Sequence, residues 1–364
     1  MFDNYKTIYS YLTREYLKVF VLSLCSLVFI YLIILFFQKV DIFIKNKAPF
    51  YLIFEYLLLR SPEVIFQWTL PYGVLLTTLL TLGNLSTHNE IIAMKAGGIS
   101  LYRITLPLIV VALIISFFSF LGNEYLLPYT NQKSQYILDI KVRKEQPYGF
   151  FKNYKIWYRS ENRIYNIQLI DIEGKILKGV ALYEINHRFK LIKRIDTREA
   201  RWLNDRWQFL NGTVRIFNED GSIQMIPFNE LDLFLPEKWE NFKSIERRPQ
   251  EMSYTELRSY IQKIQSAGYD ATRYIVDLHS KYSFPILNII MVLVGVPFSL
   301  KTARSRGIAL NIGLSIIIGF TYGIIFYIFI SFGKSGILSP LLSSWTPTIL
   351  FTLVGIFALM SVRQ

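Results

Sequence analysis

Six stretches of the chain, 19–38, 64–88, 104–123, 282–300, 307–333 and 335–362, are apolar and carry no Asp, Glu, Lys or Arg. Each is long enough to cross a hydrocarbon core about 30 Å thick as a helix, so the pattern predicts six transmembrane helices. The first run exceeds a signal-peptide core and no A-x-A-like site follows it, so it reads as a retained span. Between the third and fourth runs lies a polar block, 130–267. There the segments 155–160, 162–171, 179–185, 189–195, 198–204, 206–211 and 213–218 alternate or are rich in β-branched and aromatic residues. Turn signals separate them at Glu173-Gly174, Asn186-His187, Asn204-Asp205 and Glu219-Asp220-Gly221-Ser222. Short strands at this spacing predict an inserted antiparallel sandwich or jelly roll. Ser253 with Glu256 forms a capping box for an amphipathic helix ending near Ala267-Gly268. A further helix from about Asp270 leads into the fourth span. The predicted division is 1–129, 130–250 and 251–364.

One polar interruption, NLSTHNEIIAMKAGGISLYRI at 84–104, separates the second and third runs. Thr87 with Glu90 reads as a second capping box, and Gly97-Gly98 as a helix stop. The helix between them, 88–96, is too short to be stable alone in water and needs a surface to lie on. Ile91, Met94 and Ile92 give it an apolar face, while Glu90 and Lys95 are polar. It either lies on lipid headgroups or docks into a groove on a cytoplasmic subunit, where Glu90 would pair with a basic residue.

Composition fits the membrane reading. Of 364 residues, 52% are hydrophobic and 16% aromatic, beside a formal charge of +13. The cations are dispersed over loops and the polar block, which favours contact with anionic lipid over nucleic acid. With the N-terminus inside, Lys6, Arg14, Lys18, Lys95, Arg103, Lys301, Arg304, Arg306 and Arg363 fall on the cytoplasmic side, opposite Lys39, Lys45, Lys47, Arg60 and Lys334. Three lysines in the first outer loop run against that bias. The single cysteine, Cys25, permits no disulfide framework within one chain.

No catalytic constellation emerges. His88, His187 and His279 have no ligand spacing, and no metal site or cofactor is implied. Gly333-Lys334-Ser335 resembles the tail of a nucleotide-binding loop, but Ile328 stands where that loop needs glycine. Any ATP hydrolysis belongs to another chain. The charge-free span interiors lack the carboxylates of an ion-coupled carrier.

Two stretches, HNEIIAMKAGGISLYRI and DATRYIVDLHSKYSFPILNIIMVLVGVPFSLKTARSRG, with the strand pair REARWLNDRWQFLNG, resemble the LptF/LptG (YjgP/YjgQ-like) lipopolysaccharide-transport permease family. The resemblance implies half of an ABC transporter in the bacterial inner membrane, with six spans, both termini cytoplasmic and a periplasmic β-jellyroll. It implies a paralogous six-span permease, a cytoplasmic ATPase dimer, periplasmic β-jellyroll bridge proteins and lipopolysaccharide as partners. Glu90, Ile91, Met94, Lys95 and Gly97 would then couple to the ATPase. Lys39, Lys45, Lys47 and Arg60 either meet the phosphorylated lipid head or simply snorkel. Gly319 and Gly323, a small-xxx-small pair, pack within the subunit or against the first span of the paired permease as a side gate. Phe66, Trp68, Tyr72 and Phe326 line an acyl-chain cavity or face lipid. The rival readings are an ABC-type mechanotransmission protein, which usually has four spans, and a scaffold without transport.

Overall fold

The computed structural model describes every residue except 1, 145–148, 153–154, 161, 172–174, 187–189, 204, 219–220, 240–241, 243–248, 267–269, 303–307 and 362–364. The turn residues Glu173-Gly174, His187, Asn204 and Glu219-Asp220, the stop at Ala267-Gly268, and Arg304, Arg306 and Arg363 lie outside the described residues. Two compact units form, one from 1–143, 249–258 and 271–364, the other from 144–248 and 259–270.

The first unit contains the six membrane-length helices, Lys6–Lys45, Tyr51–Thr87, Leu101–Val142, Thr272–Leu300, Ala309–Lys334 and Pro340–Met360. Several far exceed the charge-free runs. The first has 40 residues and the third 42, about 60 Å each at 1.5 Å per residue, twice a hydrocarbon core. Charge-free length therefore marks where lipid is crossed, and the helices project beyond it. The third helix occupies 130–142, which the polarity of the sequence assigned to the inserted block.

We label the helices α1 (Phe2–Lys45), α2 (Tyr51–Glu63), α3 (Leu70–Thr87), α4 (Glu90–Ala96), α5 (Leu101–Leu121), α6 (Leu127–Tyr136), α7 (Tyr254–Ser266), α8 (Thr272–Thr302), α9 (Ile308–Lys334) and α10 (Pro340–Met360). A π-helical turn, Val64–Thr69, joins α2 to α3 between Pro62 and Pro71. Thr69 donates its hydroxyl to the carbonyls of Val64 at 3.0 Å and Ile65 at 3.3 Å, which helps satisfy backbone that the wide turn loosens. The third span carries similar turns at Gly122–Leu126 and Ile137–Val142. The most enclosed span is α8 and the least enclosed α1. Gly295 of α8 sits against α3, where an added Cβ would lie 2.9 Å from Thr78. Small residues allow that approach without a hydrophobic drive between helices.

In the second unit seven strands, β1 (Gly149–Lys152), β2 (Lys155–Ser160), β3 (Arg163–Asp171), β4 (Ile176–Ile185), β5 (Leu191–Leu203), β6 (Arg206–Phe217) and β7 (Ile223–Leu233), form one antiparallel sheet in chain order. The inserted all-β domain is present, with hairpin-to-hairpin connectivity. Residues 191–195 and 198–203 belong to one strand, as do 206–211 and 213–217. A crease explains the difference. Pairing skips Gln168, Gly179, Arg198, Asn211 and Asn229, a line running across five strands. Gly179 (φ 60°) and Asn211 (φ 55°) take left-handed backbone there. Burial changes parity at the same line: Ile195 and Thr197 face inward before it and Ala200 after it, Trp207 and Phe209 before it and Val214 after it. The register is the same on both sides of the line, so each strand contributes one unpaired residue there, which keeps one face on the core while the sheet bends. Trp202 and Trp207 pair across the next turn with rings 5.0 Å apart, where Asp205 has φ 60°.

The inner face of the sheet is filled. Tyr158, Tyr165, Trp207, Phe209, Leu235, Trp239 and Phe242 form one buried cluster. Buried Glu237 accepts the Tyr165 hydroxyl at 2.6 Å, and its backbone carbonyl accepts the Trp207 indole N–H at 2.7 Å. Buried polar groups paired in this way fix how the covering segment closes over the sheet.

Candidate functional site

Two cavities meet in the first unit. The larger is an apolar groove of about 640 Å³ between α1 and α9, floored by α3. Leu27, Ile30, Tyr31 and Ile34 form one wall, and Ile316, Phe320, Ile324 and Tyr327 the other. Its rim is open, with Phe320 70% and Ile30 54% exposed. The smaller is a polar cleft of about 200 Å³ lined by Gln67, Asn123, Gln250, Asp277, Ser280, Lys281 and Lys334, with Phe284, Tyr322 and Phe326 on its apolar side. Trp68, Tyr72, Gly323 and Tyr327 line both. An apolar trough running into a charged cleft matches the two ends of an amphiphile.

Local structure explains the lining. The π-helical turn between two prolines carries Gln67 and Trp68. Trp68 stacks on Tyr31 of α1, ring centroids 5.8 Å apart, and Gln67 donates to Asn123 Oδ1 at 3.4 Å. In the cleft Lys334 at the end of α9 pairs with Asp277 at 2.7 Å. One turn further along α8, Lys281 donates to the Met252 carbonyl at 2.8 Å. The charge-free runs exclude these residues, yet the helices extending past those runs bring them into the bundle, so sequence reading missed them. Their signal was the i, i+4 spacing of Asp277 and Lys281 just ahead of an apolar run.

The aromatic residues singled out from sequence divide. Trp68 and Tyr72 line both cavities and Phe326 the cleft, whereas Phe66 packs where a Cβ on Gly122 would lie, 2.7 Å away. Gly319 and Gly323 lie against Tyr72 of the same chain. A Cβ on Gly319 would stand 2.6 Å from the Tyr72 ring, and one on Gly323 3.4 Å from its hydroxyl. Arg60 is engaged within its own subunit: it forms an ion pair with Glu63 and donates to Asn131 Oδ1 at 3.4 Å. Lys45 and Lys47 are exposed at the end of α1, Lys47 with φ 50°, and Lys39 is half-buried one and a half turns earlier.

The interruption at 84–104 forms a helix shorter than its sequence suggested. Thr87 ends α3 and donates back to the Gly83 carbonyl at 2.9 Å, so the Thr87–Glu90 capping box does not form. Asn89, with φ 59°, makes the turn instead. The stop forms as expected: Ile99 N–H bonds the Met94 carbonyl and Gly98 N–H that of Lys95, each at 3.0 Å, with Gly98 at φ 82°. Ile91 is buried and half-buried Met94 packs on the same core, so these two moor α4 to its own bundle. The outward face carries Ile92, 51% exposed, with Ala93 and Ala96. Glu90 accepts the Tyr11 hydroxyl at 2.9 Å, Lys95 is half-buried, and Gly97 caps the helix.

The family described as lipopolysaccharide export system permease LptF/LptG matches residues 10–361. The chain belongs to this family. Lipopolysaccharide export system permease protein LptG of Escherichia coli K12 is 22% identical over 328 residues, 84% of each chain. The LptG protein of Haemophilus influenzae is 24% identical over 268 residues, 71% of this chain and 70% of the relative. As an LptF/LptG permease, the chain is a multi-pass membrane protein of lipopolysaccharide export, and the family role is that of a permease subunit.

Proposed function

We propose that the joined groove and cleft receive lipopolysaccharide, acyl chains in the apolar trough and the phosphorylated head at the charged end. The observation carrying this reading is the shared lining by Trp68, Tyr72, Gly323 and Tyr327, which makes one amphiphilic cavity of two. A membrane scaffold has no need of a lateral trough between α1 and α9. The N- and C-termini face the cytoplasm, the sheet faces the periplasm, and Lys39, Lys45 and Lys47 approach the lipid head at the outer surface. A cytoplasmic ATPase dimer engages α4 through Glu90, Lys95 and the exposed Ile92 face, with Ile91, Met94 and the Gly97 cap holding that face rigid. A push on α4 passes into α3 and α5, and so to the cavity floor. A paralogous permease supplies the other half of the enclosure, and the lipid leaves along the sheet toward β-jellyroll bridge proteins. Leu235, Trp239 and Phe242 cover the sheet interior, so acyl chains follow that face only after this segment is displaced.

Mass spectrometry of lipid retained by the complex, purified with its paired permease and ATPase in mild detergent, tests the reading. Bound lipopolysaccharide that is lost on Tyr327→Lys and Phe320→Lys is the expected result. Equal retention by wild type and both variants would reject the cavity as the lipid site.

A further inference from the structure

The polar cleft is roofed by Pro249 and Gln250, part of the segment 249–254. Four side chains hold this strap. Asn131 donates to the Gln250 carbonyl at 3.3 Å, Gln132 to the Glu251 carbonyl at 2.8 Å and Lys281 to the Met252 carbonyl at 2.8 Å. Glu124 accepts the Tyr254 backbone N–H at 2.6 Å. Three successive strap carbonyls are therefore held by side chains of the spans. Of the four anchors, Lys281 alone also lines the cleft. The second cleft cation, Lys334, is already matched by Asp277 at 2.7 Å. Lys281 instead places its ammonium on a neutral carbonyl, with Glu124, Asp277 and Glu256 supplying negative charge around it.

We propose that Lys281 is a loading sensor: the anionic head of a phosphorylated glycolipid entering the cleft draws its ammonium off the Met252 carbonyl and loosens the strap at that point. The physical basis is competition between acceptors. The bond to the Met252 carbonyl is charge-assisted from the donor side alone, whereas an ionised phosphate oxygen adds the attraction between two full charges. In a half-enclosed cleft that difference is larger than in water. Once Lys281 turns to the ligand, the Met252 carbonyl loses its partner, and the strap is held by Asn131, Gln132 and Glu124. Lys281 thus acts as a positioning residue that reports occupancy to the chain segment leading into α7. This inference rests on the lipid-binding reading above, and the test separates the two.

Met252 is 2% exposed, which makes it a reporter of strap loosening. Met252→Cys in a Cys25→Ser background, within the complete complex in nanodiscs, is labelled with a maleimide. Purified lipopolysaccharide is expected to accelerate labelling about tenfold, the equivalent of one lost charge-assisted hydrogen bond. Lys281→Met is expected to label fast with or without the lipid, and Lys281→Arg to restore slow, lipid-responsive labelling. Inorganic phosphate, which has no tail for the groove, is expected to leave the rate unchanged. Lys281→Met labelling as slowly as the parent would overturn the latch whatever the lipid does, and so would lipid that binds by mass spectrometry without changing the parent's rate. Equal acceleration by phosphate would reassign the cleft to a free anion. If no lipopolysaccharide binds, the permease cavity and the sensor fail together, whereas bound lipid with an inert strap sinks the sensor alone.

Discussion

Gly319→Ala is the sharpest probe of how the groove is built. The added methyl would stand 2.6 and 2.9 Å from two ring carbons of Tyr72. Ordinary carbon contacts are about 3.5–4.0 Å, so the ring must retreat by about 1 Å. Overpacking of this kind costs about 1–3 kcal/mol. The ring lines both cavities, so its retreat also narrows the passage between them. Gly323→Ala meets only the Tyr72 hydroxyl at 3.4 Å and should be close to neutral. In a Tyr72→Ala background the clash disappears. Gly319→Ala should then be neutral or stabilising, by up to about 1 kcal/mol, because alanine is the better helix former. The assay is apparent thermal stability of the purified complex, with retained lipid measured on the same samples. The account predicts that the penalty of Gly319→Ala vanishes or reverses sign without Tyr72, a large coupling within one subunit. Equal penalties for Gly319→Ala and Gly323→Ala, unchanged by Tyr72→Ala, would refute this. Both glycines would then serve a helix of another chain.

Three more outcomes follow from the same geometry. Glu237→Ala should lower the stability of the sheet domain by about 2–3 kcal/mol, because the Tyr165 hydroxyl loses a charged acceptor; Glu237→Gln should recover much of it in thermal melts of the complex. Burial, then the bond to Glu237, pushes the Tyr165 phenol far above its ordinary 10.0, so its contribution is complete below pH 10.0 and fades as pH climbs beyond, readable by circular dichroism. Glu90→Arg and Ile92→Asp should each abolish retention of the ATPase in a pull-down without lowering permease stability, whereas Ile91→Ala should cost about 2–5 kcal/mol through its buried position; loss of retention with Ile91→Ala alone would contradict the face assignment. Replacing Lys39, Lys45 and Lys47 together by Gln should weaken lipid-stimulated ATP hydrolysis, and unchanged stimulation would remove these lysines from the lipid path.

The sequence made the six spans legible because a 30 Å apolar slab leaves little choice of composition. It hid the ends of the helices, since projecting turns such as 130–142 are polar for solvent reasons and helical for packing reasons. Strand boundaries failed at the crease, where a parity change at Arg198 and Asn211 looks locally like two strands. The Thr87 cap failed because the threonine hydroxyl found the Gly83 carbonyl first. Periodicity gave α4 an apolar face through Ile91 and Met94 without revealing that the chain's own core packs against it. The tie between Tyr72 and Gly319, and that between Lys281 and Met252, join residues 247 and 29 positions apart and have no local signature.

The central claim is that α1, α3 and α9 enclose a lipid-binding trough. A photoreactive amino acid at Ile30 or Phe320, on the rim, should give lipopolysaccharide adducts in living cells under ultraviolet light. The same residue at Phe117 of α5, equally exposed but away from the groove, should give none. Adducts at Phe117 with none at Ile30 or Phe320 would contradict the account.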